Sequence, residues 1–125
     1  MSAGANGLAT LRYTGAIAEI ALDSGPINLV TRAMLQAFND AVTELAGRAD
    51  VRCVIVHGGT ARAFCAGSDI REFAGIRHDA SEQKILYEDM VLRRLARLPV
   101  PTIAAIGKVL RIQVCSVGVK PRLGR

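Results

Sequence analysis

The segment that most constrains the fold is residues 51–76, where a short apolar run precedes glycines, small residues and a second apolar pattern. Residues 52–57 are rich in β-branched side chains and too few for a buried helix, so they predict a buried strand. Small residues then predict a loop as far as Gly67. From Ser68 onward, apolar residues recur at helical spacing. The predicted order is strand, glycine-containing loop, helix.

This order gives the junction a possible chemical use. The first N–H groups of a helix have no intrahelical partner and carry the positive end of the helix dipole. Gly67 has no Cβ, so a ligand could approach the backbone there, and the Ser68 N–H could donate to a carbonyl oxygen that becomes negatively charged. The alternative is that the junction only turns the chain, as most such junctions do.

Ten consecutive residues, 63–72, read AFCAGSDIRE. They resemble the A-F-x-A-G-[AS]-D-[IL]-[KR]-E signature of the enoyl-CoA hydratase/isomerase (crotonase) family. Residues 26–29, PINL, resemble the P-x-N-[AL] segment of that family, and residues 98–106, LPVPTIAAI, resemble its L-x-x-P-[TV]-[IV]-A-A-[IV] segment. The resemblance covers roughly residues 10–106.

Periodicity predicts the elements around this segment. Residues 8–13 and 16–22 are two short strand-like runs separated by Thr-Gly, which indicates a β-hairpin. A dense turn cluster follows, and Asn28 is expected to brace it through its side-chain amide.

Two helices are predicted. Thr31 is a plausible N-cap for the first, which Gly47 ends, and Ser81 is a plausible N-cap for the second, which extends to about Arg97. Residues 102–106 then predict a buried strand.

The second helix has an apolar stripe that core packing explains. Its members are Ile85, Leu86, Val91, Leu92 and Leu95. Glu88 and Asp89 are expected to pair with Arg93 and Arg94 along the helix.

The resemblance implies an α/β fold, a crotonase-like ββα spiral that is incomplete because only its N-terminal turns match. We therefore expect residues 1–106 to form the N-terminal part of an acyl-CoA-binding domain. Residues 107–125 do not match the family. They hold all five excess positive charges and no acidic residue, which suggests a frameshifted or disordered basic tail.

Composition limits the other classes of function. No apolar run approaches the ~18 residues of a membrane span, and the N-terminus lacks a signal-peptide pattern, so a cytoplasmic protein with no membrane partner is expected. Three cysteines without C-x-x-C spacing argue against a disulfide framework or metal site. The basic tail lacks aromatic residues, so no nucleic-acid partner is expected.

The resemblance implies an acyl-CoA thioester as substrate and no separate cofactor, because coenzyme A is part of the substrate. The Ser68 backbone N–H would be one of two donors to the thioester oxygen. The coenzyme A part would lie along Ile27, Ala63, Cys65, Ala66, Gly67, Asp69 and Ile70. Arg71 would either meet a phosphate or be a plain exposed charge. Full-length family members imply a homotrimer or hexamer.

The family takes its second donor and its catalytic carboxylates from a segment after Ile106 that this chain does not match. Asp69 is better interpreted as a first-turn acid that stabilises the helix dipole. We therefore expect hydration of 2-enoyl-CoA to be the family reaction, with no rate above background from this chain alone. Other family activities (isomerase, thioester hydrolase, decarboxylase) and a non-catalytic CoA-binding remnant remain open.

Overall fold

The computed structural model of the chain describes residues 2–3, 7–69, 71, 78–106 and 109–110. Its elements are β1 (Ser2–Ala3), β2 (Ala9–Thr14), β3 (Ile17–Leu22), β4 (Leu29–Val30), α1 (Arg32–Ala46), β5 (Cys53–His57), β6 (Ala63–Cys65), β7 (Gly67–Ser68), α2 (His78–Ala96), β8 (Thr102–Ala105) and β9 (Val109–Leu110). The described part of the chain is therefore a mixed α/β structure.

The main sheet has five strands in the order β1-β2-β3-β5-β8. Strands β1, β2 and β3 pair antiparallel, and β3, β5 and β8 pair parallel. The predicted hairpin is confirmed, with Thr14 paired to Ile17 at its closed end. The predicted strands β5 and β8 are also confirmed as strands. Their burial is only partial: Val54 and Val56 are buried in β5, and Ala104 is buried in β8.

Helix α1 covers one face of this sheet. The Thr31 side chain caps it as predicted, since its Oγ1 accepts the Met34 N–H at 3.1 Å. Seven residues at helical spacing are buried toward the sheet: Met34, Leu35, Ala37, Phe38, Ala41, Val42 and Leu45. They join Leu11, Ile20 and Val54 in one core.

Helix α2 begins at His78, four residues earlier than a Ser81 cap predicts. The prediction that Ser81 caps it is therefore wrong. Serine is a residue type that helix N-caps prefer, but residue type alone does not fix where a helix begins. The stripe is only partly correct: Val91 and Leu95 are buried, but Ile85 and Leu86 are exposed.

Neither α1 nor α2, the helices among the described residues, has the length and apolar composition needed to cross a membrane.

The predicted loop before Gly67 is wrong in part. It contains β6, and Gly67 and Ser68 form β7, which pairs in parallel with β4. Ser68 thus belongs to a strand, because its backbone pairs with that of β4, which is distant in sequence. The predicted helical face with Ile70 lies outside the described residues.

The predicted basic tail is described only at Val109–Leu110. These two residues form β9 and pair in parallel with β6. The remaining residues of 107–125 lie outside the described part of the chain, so the boundary at residue 106 stays a prediction.

Candidate active site

Asn28 holds together the loop that bears the candidate site. Its side chain is fully buried, and its backbone adopts a φ of 52°. The Nδ2 group donates to the carbonyl oxygens of Gly58, Ala63 and Phe64 at 3.0, 3.1 and 3.2 Å. Oδ1 accepts the Ser24 N–H at 2.9 Å. The predicted bracing role is confirmed, and it extends well beyond the local turn.

The ladder between β4 and β7 sets the direction of the Ser68 N–H. The Asp69 N–H donates to the Val30 oxygen at 3.0 Å. Because successive N–H groups of an extended strand point to opposite sides, the Ser68 N–H points away from β4. Gly67 precedes it with a φ of 95°, a conformation that favours glycine. This N–H group is therefore left outside the ladder.

A cavity of about 150 Å³ lies beside Ser68, between the two helices and the strand ends. Its apolar walls include Leu22, Val30, Leu35, Phe38, Leu92 and Ile103. Polar side chains enter the lining at Ser68, Glu88 and Thr102. The cavity is thus mainly apolar, with its polar groups concentrated at a few positions, as is common for small-molecule sites.

Glu88 is the residue that sequence reasoning missed. Its Oε1 accepts the Ser68 hydroxyl at 3.0 Å, and the Lys84 ammonium lies 3.9 Å from the same oxygen. The predicted pairing of Asp89 with Arg93 is confirmed at 2.8 Å. Glu88, however, faces the cavity, because it lies one helical turn before Leu92 on the inner face of α2.

Cys65 shares the cavity with these groups. Burial raises the pKa of its thiol, the Gly67 N–H lowers it by hydrogen bonding, and the nearby Glu88 carboxylate raises it further. The thiol is therefore neutral at physiological pH and a weak nucleophile.

Asp69 and Arg71 form a bidentate pair beside β7. Asp69 Oδ1 accepts from Arg71 Nε and Oδ2 accepts from Nη2, both at 3.0 Å. These charge-assisted hydrogen bonds hold the pKa of the Asp69 carboxyl below its usual range. The Asp69 side chain is buried, whereas 80% of the Arg71 side chain is exposed. One edge of the Arg71 guanidinium is therefore already paired with the Asp69 carboxylate.

The predicted site residues separate into two groups. Cys65, Gly67 and Ser68 line the cavity. Outside its lining are Ile27, Ala63, Ala66, Asp69 and Arg71. Ile70 lies outside the described residues.

No metal site is evident in the described part of the chain. There, no three His, Cys, Asp or Glu side chains converge closely enough to hold an ion.

Known proteins resemble this chain in both sequence and fold. A model of the enoyl-CoA hydratase/isomerase family matches residues 20–108. YngF of Bacillus subtilis, named for that same family, is 32% identical over 79 residues, which are 63% of this chain and 30% of YngF. The fatty acid oxidation complex subunit alpha of Idiomarina loihiensis is 34% identical over 92 residues, 71% of this chain and 13% of that subunit.

The crystal structure of an enoyl-CoA hydratase from Bacillus anthracis superposes with a TM-score of 0.75 at 28% identity. The alignment covers 81% of this chain and 40% of that one. This chain therefore spans less than half the length of these relatives, and it has part of the crotonase fold, as the sequence predicted. Since the family model covers more than half of the sequence, the chain belongs to the enoyl-CoA hydratase/isomerase family.

Proposed function

We propose that this protein binds acyl-CoA thioesters and that the Ser68 backbone N–H donates to the thioester oxygen. The observation that carries the proposal is the direction of this N–H group. It is unused by the β4–β7 ladder, and it belongs to a residue that lines a mainly apolar cavity. An acyl chain would enter the cavity while its carbonyl meets the strand.

The chemistry follows from charge development on that oxygen. When a proton leaves or water adds next to a thioester, the carbonyl oxygen becomes negatively charged, and a fixed N–H donor stabilises it. One such donor contributes roughly 2.7–4 kcal/mol in enzymes where it has been removed. Hydration of 2-enoyl-CoA through an enolate is the reaction that we propose for the family site. We expect this chain alone to give no hydration above background, because it does not match the segment that supplies the family's second donor and catalytic carboxylates.

We propose that the coenzyme A part lies along β6 and β7, beside the end of the cavity that Cys65 and Gly67 line. The residues proposed for it are Ile27, Ala63, Cys65, Ala66, Gly67, Asp69 and Ile70. Arg71 is partly committed to Asp69, so a phosphate would have to share its guanidinium. We propose no separate cofactor, and we propose a cytoplasmic homo-oligomer by analogy with the family.

Two substitutions at one position test the donor. Ser68→Pro removes the N–H without taking a hydrogen bond from the β4–β7 ladder, and Ser68→Ala keeps it. Infrared spectroscopy of a bound carbonyl-labelled thioester such as hexadienoyl-CoA measures the polarisation directly. We expect the carbonyl stretch to move to lower frequency in the wild type and in Ser68→Ala, and to stay near its solution value in Ser68→Pro.

Binding by isothermal titration calorimetry accompanies the spectra, with circular dichroism as the control for folding. Failure of the wild type to bind any acyl-CoA would overturn the proposal. An equal carbonyl shift in folded Ser68→Pro would remove Ser68 from the donor role. Product analysis with crotonyl-CoA then separates hydration from isomerase, hydrolase or decarboxylase activity, and binding without turnover would indicate a non-catalytic protein.

A further inference from the structure

Glu88 places a carboxylate in the same cavity as the proposed oxyanion donor. Its side chain is 18% exposed, and its Oε1 accepts the Ser68 hydroxyl at 3.0 Å. Among the described residues, Ser68 and the Lys84 ammonium both contact this carboxylate at Oε1. Oε2 makes neither of these contacts and would be the oxygen that meets a ligand in the cavity.

Ser68 connects the two halves of this arrangement. Its backbone N–H is the proposed donor to the thioester oxygen, and its hydroxyl holds Glu88. Because the two groups belong to one residue, we expect a thioester oxygen bound at the N–H to bring its C1 and C2 atoms to the side of the cavity where the carboxylate lies. A base acts at about 2.6–3.2 Å from the atom that carries the proton.

The position of this carboxylate is suited to chemistry. The Ser68 hydroxyl and the Lys84 ammonium both lie at its Oε1, and Glu88 lines a cavity whose walls are mainly apolar. Its charge also raises the pKa of the Cys65 thiol, which lines the same cavity. A carboxylate among the few polar groups of a mainly apolar cavity is a candidate for acting on a ligand there.

We propose that Glu88 is the base that exchanges the C2 proton of the bound acyl group. This inference rests on the proposed acyl-CoA function and assigns a residue to its proton transfer. The Glu88 carboxylate takes a proton from C2, and the electrons of the broken C–H bond form the C1–C2 double bond. The carbonyl electron pair moves to the thioester oxygen at the Ser68 N–H. The reverse step returns a proton from Glu88 to C2.

A single negative charge moves in this step, from the Glu88 carboxylate to the thioester oxygen. The carboxylate and the oxyanion are therefore not charged at the same time. Lys84 lies closest to the Glu88 end and is a positioning residue for it. Like-charge repulsion, which would oppose the enolate if Glu88 stayed ionised, is thereby avoided.

The test is hydrogen exchange at C2 of butyryl-CoA in D₂O, followed by mass spectrometry, with the full chain. The wild type should incorporate deuterium. Glu88→Gln keeps an acceptor for the Ser68 hydroxyl but removes the base, so exchange should fall about a hundredfold or more while the Kd for butyryl-CoA changes little. Glu82→Gln, at an exposed position of the same helix, should exchange at the wild-type rate.

Ser68→Ala provides a second variant that keeps the carboxylate and the N–H but removes the tether. It should exchange more slowly than the wild type without losing the infrared carbonyl shift, which a purely structural role of Glu88 does not predict. Equal exchange by wild type and Glu88→Gln would overturn the inference, as would a wild type that binds butyryl-CoA without exchange. Absence of all acyl-CoA binding would overturn the proposed function together with this inference.

Discussion

Asn28 shows how a single buried amide can hold several short segments together. The segment between β5 and β7 contains the short strand β6, and the Asn28 side chain donates to three carbonyl oxygens of this segment. The side chain also accepts from the turn that precedes β4. Buried carbonyl groups without such partners would each cost free energy.

Replacing Asn28 with alanine should therefore destabilise the fold severely. Leaving several buried backbone groups without partners should lower the free energy of unfolding by about 3 kcal/mol or more, since each costs about 1–3 kcal/mol. Urea denaturation followed by circular dichroism measures this loss. Thr43→Ala, at an exposed helical position, should change stability by less than about 0.5 kcal/mol. Comparable stability of Asn28→Ala and Thr43→Ala would contradict the bracing role.

At the scale of elements, α2 is connected to β7 through the cavity. The hydrogen bond between Glu88 and Ser68 joins this helix to the strand, although the two residues are 20 positions apart in sequence. Further along the same helix, Arg94 donates a hydrogen bond to Asn39 of α1. The helix thus contributes one wall and one charge to the site. Its inner face is the part that decides the cavity chemistry.

The charge that α2 contributes can be measured at Cys65. Since the Glu88 carboxylate raises the pKa of this thiol, Glu88→Gln should lower that pKa and increase the thiolate fraction near pH 8. We expect faster alkylation of Cys65 by iodoacetamide in this variant, with the difference shrinking at higher pH as both thiols ionise.

Peptide mapping by mass spectrometry resolves Cys65 from Cys53, which serves as an internal control on β5. The Cys53 rate should be the same in both proteins. An unchanged Cys65 rate in folded Glu88→Gln would show that the carboxylate does not act on the cavity.

At the scale of the whole molecule, the cavity is formed where α1, α2 and the strand ends meet. Its walls come from residues as distant in sequence as Leu22 and Ile103. The volume of about 150 Å³ sets how much of an acyl chain can be buried. Coenzyme A itself would stay outside.

Affinity should therefore rise with acyl length until the cavity is full. Each buried methylene contributes about 0.8 kcal/mol, or roughly a fourfold lower Kd. Titration calorimetry across acetyl-, butyryl-, hexanoyl- and octanoyl-CoA should show this increase followed by a plateau, with free coenzyme A as the control. Equal affinity for coenzyme A and all four thioesters would mean that the chain does not enter the cavity.

Local pattern predicted most of the regular elements and the family. Two short strand-like runs separated by Thr-Gly indicated the hairpin, Thr31 indicated the start of α1, and the AFCAGSDIRE segment indicated the crotonase fold. These features depend on neighbours a few positions apart, so they can be interpreted without knowing the fold. The capping signal at Ser81 failed because residue type alone does not fix the position at which a helix begins.

The candidate site could be predicted only in part, because its geometry depends on contacts between distant segments. Ser68 was predicted to be an oxyanion donor at a helix start, whereas pairing with β4 makes it part of a strand that borders the cavity. Its role as a donor stays a prediction. Glu88 lies at helical spacing from Leu92 and Leu95, which indicated that it could face inward. Its position near Arg93 was equally compatible with an ion pair on the exposed face of the helix. Sequence periodicity determines which face of a helix a residue shares. Only packing against β7 decided that this carboxylate meets the Ser68 hydroxyl inside a cavity.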